Sequence, residues 1–447
     1  METADRASLT GSPNAASPSA LQPPGVFLQA PTAPSTGLAS RRAQRPKRVG
    51  LLGLFGCGNF GNDASLDAML SFLRQSRPDL ELVCICSEPD LVRARHGVAT
   101  LAMDWSRSPT RASPSTAARL LKIPGKLFDL VHLARHVGRF DLLLIPGTGI
   151  LDDFGEHPWG MPYQLLKWCA AARLCGTKIA FVSIGAGPIN NRLNRWLMTS
   201  AARMAHYRSY RDVISQNYMT GIGVETDAAP VYPDIVFELP APECGSTRRR
   251  ERLTVGVGVM SYSGWYHFAS DGPAIYAAYV GKMTRFILWL LGRGDQVRIL
   301  TGETSDKRAV GDILEGVRKV RPDLLEDDVI YEPAVSIYDL MRHISDTDIV
   351  VATRFHNVVC ALKLGRPTIS LGYAKKNDVL LADVGLGEFC QHVEELDLDR
   401  LMDQFSRLVA NREHYEDTIR SAVRTYEDRL ATQNAILLER LLLSETH

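Results

Sequence analysis

From residue 48 onward, unbroken apolar runs alternate with stretches whose apolar residues recur every three or four positions. Residues 48–55, RVGLLGLF, carry the continuous apolar pattern of a strand covered on both faces. After a glycine-rich stretch, Leu66, Met69, Leu70 and Leu73 fall at helical spacing. The alternation continues with strands at 80–86 (LELVCIC), 141–147 (DLLLIPG) and 178–188 (KIAFVSIGAGP), and with helices near 161–174 and 191–204. Residues 207–223 read as a short strand, then a helix stopped by glycine. The segment 239–252, LPAPECGSTRRRER, interrupts the pattern with proline, glycine and charge. The alternation then restarts, with strands at 253–260, 296–302, 347–352 and 367–373, a long helix near 274–291, and a charged, helix-periodic tail over 396–443. FILWLLG, 286–292, is among the longest apolar runs and reads as part of a core helix; no run approaches a membrane span. Two successive series of this kind predict an α/β chain of two doubly wound Rossmann-like domains, residues 48–245 and 252–447.

Residues 1–47 differ. They are rich in Pro, Ser, Ala and Thr, lack an apolar period and run into RRAQRPKR at 41–48. Such a segment buries too little surface to offset its ordering entropy, so disorder is expected there, with the basic run as a solvated linker. The length of 447 residues agrees with two domains. A net charge of +1 argues against a globally basic nucleic-acid binder. The 8 cysteines are scattered without a CxxC pair, which points to a reducing, cytoplasmic setting rather than a disulfide framework.

Four stretches carry candidate chemistry. GCGNFGND, 56–63, has G-x-G-x-x-G between a strand and a helix, the setting of a dinucleotide turn. Glu88 lies later than the acidic residue of that fingerprint should, so the loop reads first as a tight turn in which Asn62 or Asp63 caps the helix, next as a loop for a ligand other than a nicotinamide dinucleotide, and last as an NAD turn. In PGTGILDDF, 146–154, Gly147 and Gly149 let a ligand approach the backbone. Asp152 and Asp153 then serve as hydrogen-bond acceptors for sugar hydroxyls, as a general base, or simply as acids near a helix start. Arg211 in YRSYRD sits near a helix N-terminus, which tolerates an anion; an ion pair with Asp212 is the plainer reading. In VVATRFHNVVCALKLGRP, 350–367, Arg354 and His356 follow a buried strand and precede a helix. A guanidinium, an imidazole and the helix-start N–H groups make an anion site there, with Phe355 expected to face the other way.

At these residues the chain resembles the polysaccharide pyruvyl transferase family, over roughly residues 49–386. The matching pieces are GNFGNDASLDAML, IPGTGILDD, SIGAGPI, YRDVISQNYMTGIGV, YPDIVFEL and TRFHNVVCALKLGRPTISLGYAKK. The resemblance implies a fold like that of GT-B glycosyltransferases. It also implies transfer of a pyruvyl group from phosphoenolpyruvate, the donor substrate, to two sugar hydroxyls, with no cofactor and no metal required. The family's R-x-H falls on Arg354 and His356, its R-D-x-x-S on Arg211, Asp212 and Ser215, and its Y-x-x-K on Tyr373 and Lys376. Its N-x-G-D is incomplete: Asn59 and Gly61 match, Asn62 stands where Asp is usual, and Asp63 is next. The expected roles follow. His356 as imidazolium is the acid, or else only binds phosphate, and Asp63 or Asp153 is the base. Arg354, Arg211, Lys376, Tyr373, Asn59, Gly147 and Gly149 bind substrate. The first domain takes a glycan or lipid-linked sugar acceptor, which would bring the protein to a membrane surface, and the second takes phosphoenolpyruvate. No nucleic-acid partner is expected. Arg354→Ala and His356→Ala are each expected to remove activity without unfolding the chain. Two alternatives stand beside this reading: a GT-B glycosyltransferase with a nucleotide-sugar donor, and a non-catalytic glycan-binding protein.

Overall fold

The computed structural model describes residues 47–104, 133–154, 156–242, 252–265 and 270–443. The segment expected to be disordered, apart from Lys47, and most of the predicted boundary at 239–252 lie outside these residues.

Two parallel six-stranded sheets organise the chain. The first contains β1 (Arg48–Leu52), β2 (Glu81–Cys86), β3 (Ala99–Ala102), β4 (Leu142–Pro146), β5 (Lys178–Ile184) and β6 (Tyr207–Tyr210), in the order β3-β2-β1-β4-β5-β6. The second contains β7 (Thr254–Gly258), β8 (Gln296–Leu300), β9 (Val329–Tyr331), β10 (Ile349–Ala352), β11 (Thr368–Gly372) and β12 (Cys390–His392), in the order β12-β11-β10-β7-β8-β9. Counted from its own first strand, the second sheet repeats the order of the first. The predicted pair of doubly wound sheets is therefore present. Strand order reverses between β1 and β4 and again between β7 and β10, and the crevices beyond the carboxyl ends of such strands are where ligands bind. β4, β7, β10 and β11 are buried along their whole length, as their apolar runs require.

The helix Gly272–Gly292 is, against the sequence reading, long and apolar enough to cross a membrane by length and composition. Its residues Tyr276, Tyr279, Met283, Phe286, Ile287 and Leu290 are buried in the same core as the second sheet. That packing makes it a core helix.

The two lobes meet directly. In the loop after β1, Phe60 N donates to Gly302 O (3.1 Å), and Gly58 O accepts from Thr304 N (3.1 Å). Gly58 holds a φ of +86°, the left-handed region glycine tolerates, with Thr304 against it where a Cβ would stand. The helix Arg412–Leu437 then returns from the second lobe to the first. There Gln433 bonds both Ser183 and Ser209, all three fully buried. Leu442 O accepts from Lys47 Nζ and Arg77 Nη1, both at 2.9 Å.

Candidate active site

A cavity of ≈ 170 Å³ lies between the lobes at the two switch points. Asn59, Asn62, Gly149, Asp152 and Arg211 line it from the first lobe, and Arg354, Phe355, His356, Tyr373 and Lys376 from the second. Arg354 is the N-cap of the helix Phe355–Lys363. The helix starts two residues earlier than the sequence suggested. Consecutive helical residues turn by about 100° rather than alternating, so Phe355 does not face away. It joins Arg354 and His356 at the cavity wall.

The cations differ in how they are held. The buried Arg211 guanidinium lies over the Phe355 ring, 4.3 Å from its centroid. It fills the space at Gly185 that a Cβ would take. Its acid contacts are long: Nη1 to Asp234 Oδ2 at 3.3 Å and Nε to Asp212 Oδ2 at 3.6 Å. Lys376 Nζ is 4.9 Å from the Tyr373 ring centroid and 3.7 Å from Asp152 Oδ2. These two cations have charge to offer an anion.

Arg354 does not. Its Nε and Nη2 donate to the two oxygens of Asp306 at 3.0 and 2.6 Å, and its Nη1 lies 2.6 Å from Glu303 Oε2. Asp306 is fully buried, so this is a bidentate pair that cannot be opened without stranding a carboxylate. Arg354, expected to bind substrate, stands at the cavity wall with three of its N–H donors turned to the loop after β8, and that loop meets Asn59, whose Nδ2 donates to Glu303 Oε2 (3.4 Å).

His356 reaches across to the first lobe, where its ring occupies the position a Cβ on Gly61 would need. Its Nε2 is 3.7 Å from Asp234 Oδ2 and has no hydrogen-bond partner. Burial pushes its pKa down to about 4, with Arg211, Lys376 and Arg354 adding to the fall and Asp234 opposing it. Among these groups the ring is neutral at pH 7, not the imidazolium expected.

Both acids chosen as bases are elsewhere. Asp63 is buried, accepting from Gly56 N (2.7 Å) and Arg95 Nη1 (2.6 Å). It pins the glycine loop, and Asn62 takes the place at the cavity wall. Asp153 accepts from Asn191 N (2.9 Å), Asn194 Nδ2 (3.4 Å) and Trp265 Nε1 (3.4 Å), which fastens its loop to both lobes. The acid at the cavity is Asp152. Its backbone turns on Gly149 O (3.1 Å), and burial raises its pKa although Lys376 pulls the other way.

Tyr373 lines the cavity and stacks on Phe154 of the first lobe, 4.9 Å between centroids. Asn59 caps the helix Phe60–Ser76 at Gly61 N and Asn62 N. Gly149 lies at the wall, but Gly147 packs against Ile235 with no room for a Cβ and is not at the cavity. Sequence reasoning gave no role to Asp234, which faces Arg211 and His356, nor to Glu303 and Asp306. A buried acid following an apolar strand, as in residues 296–306, was the available signal.

One support lies behind Arg211. β5 bulges between Phe181 and Ile184, and Ser183 holds a φ of +50°, costly for a residue with a Cβ. Gln433 of the returning helix bonds Ser183 Oγ, and Ser209 Oγ accepts from Ser183 N at 2.8 Å. The bulge sets Gly185 under the guanidinium, and Arg211 N donates to Ile184 O (3.1 Å). Bulges next to sites re-aim side chains in this way.

The family model described as "Polysaccharide pyruvyl transferase" matches residues 59–375. The comparison with curated proteins finds no significant sequence match. Among solved structures, the S. aureus MnaA–UDP co-structure is similar with a TM-score of 0.57 at 12% identity, covering 90% of this chain and 99% of that one. A UDP-GlcNAc 2-epimerase from Neisseria meningitidis bound to UDP-GlcNAc gives 0.53 at 12% identity, with 86% and 100% covered. A glycosyltransferase from Rickettsia africae gives 0.55 at 9% identity, with 89% and 99% covered. At these identities the likeness is one of fold, and the fold is GT-B-like.

Proposed function

Because the chain belongs to the polysaccharide pyruvyl transferase family, we propose that it moves a pyruvyl group from phosphoenolpyruvate to two hydroxyls of a sugar, forming a cyclic ketal and releasing phosphate. The observation that carries this reading is the meeting of Arg211 and Lys376, one from each lobe, at a cavity that also holds His356 and Asp152. Phosphoenolpyruvate presents a carboxylate and a phosphate on a three-carbon frame, and holding both takes cations from two sides. Arg211 and Lys376 have only long contacts to acids, so an incoming anion improves their pairing.

In the reaction a proton adds to the methylene carbon and a sugar hydroxyl oxygen bonds to the central carbon. The bond from that carbon to the phosphate oxygen breaks, and the second hydroxyl closes the ring. Of the two hydroxyl protons, one balances the new methyl group and the other leaves with phosphate. Asp152, its pKa raised by burial, is placed to take a hydroxyl proton. His356 is neutral among its cationic neighbours. A bound phosphate dianion counters them and raises its pKa, so the imidazole becomes an acid only with donor beside it. A closed interlobe cavity keeps water from the activated carbon. The acceptor is a glycan or a lipid-linked sugar, met at the cytoplasmic face of a membrane.

The test is incubation with phosphoenolpyruvate and sugar acceptors. Phosphate release coupled to a new ketal carbon in the NMR spectrum supports the reading. Turnover of a nucleotide sugar without phosphoenolpyruvate consumption assigns the chain to glycosyl transfer instead. Glycan binding with no turnover of either donor, in keeping with Asn62 in place of the usual acid, makes it a binding protein.

A further inference from the structure

The helices Met161–Leu174 and Arg192–Arg203 follow β4 and β5 and cover one side of the first sheet, with Leu165, Trp168, Met198 and Ala202 in a shared core. They run side by side. Near their starts Asn194 Nδ2 donates to Glu156 O (3.4 Å), and near their ends Arg173 Nη1 meets His206 Nε2 at 2.6 Å. Their outer arcs make one surface of the first lobe. We propose that this surface docks on an anionic lipid bilayer, lying in the headgroup layer without crossing it. The inference goes beyond the reading of the chain as a transferase: the protein itself, with no acceptor bound, holds to the membrane by a defined face.

Exposed apolar groups are the first ground. Of the twelve large apolar side chains exposed among the described residues, five lie here: Trp159, Tyr163, Leu174, Leu193 and Trp196. Leu174 is 87% exposed, Trp196 58%, and Trp159, just ahead of the first helix and edge-on to Tyr163, 75%. Scattered singly such groups mean nothing, but gathered on one face they mark an interaction surface. Charge is the second ground. The two helices hold 14 and 12 residues and none of the chain's 50 acids, while they bring Lys167, Arg173, Arg192, Arg195 and Arg203. The whole chain is balanced at +1, so the bias is local. Among the described residues no carboxylate pairs with the four arginines. Arg195 donates to Ile189 O and Arg203 to Gly223 O, and Arg173 meets the His206 ring. The acids ahead of the helices, Asp153 and Glu156, are fewer than these arginines and accept from Asn191 N and Met161 N. Indole and phenol rings settle at the level of lipid headgroups, and arginine forks pair with lipid phosphates while their stems cover apolar surface. A nucleic acid would engage the arginines but leave Leu174 and Leu193 in water; an anionic bilayer engages both kinds. Position is the third ground. Met161 and Met198, on the inner arcs of the same helices, line the cavity of Arg211 and Lys376. Trp159 lies at a second cavity, of ≈ 730 Å³, that adjoins the first. The bilayer surface is then about one helix diameter, ~10 Å, from the site.

The full chain is sedimented with vesicles of phosphatidylcholine and phosphatidylglycerol, about three to one, and with vesicles of phosphatidylcholine alone. It should partition roughly tenfold or more in favour of the anionic vesicles, and less so as salt rises. Trp196→Ala and Arg192→Glu should each weaken that partition roughly tenfold, with unchanged circular dichroism. Both positions are exposed, and a glutamate suits a helix N-terminus, so the fold tolerates each change. Arg318→Glu, at an exposed position on the helix Lys307–Val320 of the second lobe, is the control and should bind as wild type does. Absence from anionic vesicles overturns the proposal and leaves the face to a protein partner. Equal partition to both kinds of vesicle, unchanged binding in either variant, or a loss in Arg318→Glu equal to that in Arg192→Glu overturns it as well. Neither phosphoenolpyruvate nor sugar is present, so failure of the transferase reading leaves the vesicle result standing, and failure here leaves that reading intact.

Discussion

Two cavities adjoin across Leu54, Glu156 and Met161, and the described residues that line them differ in kind. One gathers Arg211, Lys376, Arg354 and His356 from both lobes, while the other draws on the first lobe alone and brings Glu88, Asp104 and Glu156. The contrast separates a wall that brings cations from both lobes from one that, among the described residues, brings none. Within the cationic cavity a second division appears. Arg211 and Lys376 are loosely paired, whereas Arg354 is locked to Asp306 and Glu303. Being at the wall and being available are separate properties.

Arg354→Ala probes that division most strongly. It leaves Asp306 buried without its partner, so stability should fall by about 3–5 kcal/mol, read as a lower denaturant midpoint. A midpoint equal to wild type with activity lost would return Arg354 to the role of substrate ligand. Lys376→Ala should leave the midpoint nearly unchanged and reduce kcat/KM for phosphoenolpyruvate about 10²–10³-fold, since Asp152 keeps the Phe154 N–H (3.3 Å) and the nearby Arg211 charge. If the loss is confined to the acceptor's KM, Lys376 serves the acceptor and not the proposed donor. Gly61→Ala puts a methyl group where the His356 ring lies and should cost roughly 100-fold in kcat through misplacement. Wild-type kcat would show that the imidazole is a bystander.

The smallest effect is electrostatic. The His356 pKa in the folded chain, about 4, is below its ordinary value of 6.5. Between those values the unfolded chain binds a proton that the folded one does not. Stability from this group is therefore complete above pH 6.5 and is lost as pH falls toward 4. A titration of the ring by NMR should show the low midpoint, and phosphoenolpyruvate should move it upward. A midpoint near 6.5 without donor would mean the ring is solvated and the cations are farther away than the fold places them.

Central strands were legible because burial on two faces writes a continuous apolar run: β1, β4, β7 and β10 all fall inside such runs. β3, β9 and β12 were missed. Each has four residues or fewer and is largely half-buried, so no run accumulates. The motif positions Arg354, His356, Arg211 and Lys376 do converge, yet their states did not follow from the residue types. The partners Asp306 and Asp234 stand 48 and 23 positions away from Arg354 and Arg211, where no local pattern links them. Asp152 and Asp153 are indistinguishable by period in a loop. What separates them is tertiary: Asn191 and Asn194 capture one, and the turn on Gly149 presents the other.

The returning helix has a consequence for how the chain can be cut or rewired. Severing the polypeptide between the lobes would not yield two independent halves. The first would keep Ser183 and Ser209 sealed in its interior without the Gln433 amide, and the second would trail a helix whose buried face, with Leu430 and Leu437, had lost cover. Yet Lys47 touches Leu442, so the two ends of the described residues lie side by side. A short tether could join them and new ends be opened in a surface loop, a circular permutant that should fold where the bisected protein does not.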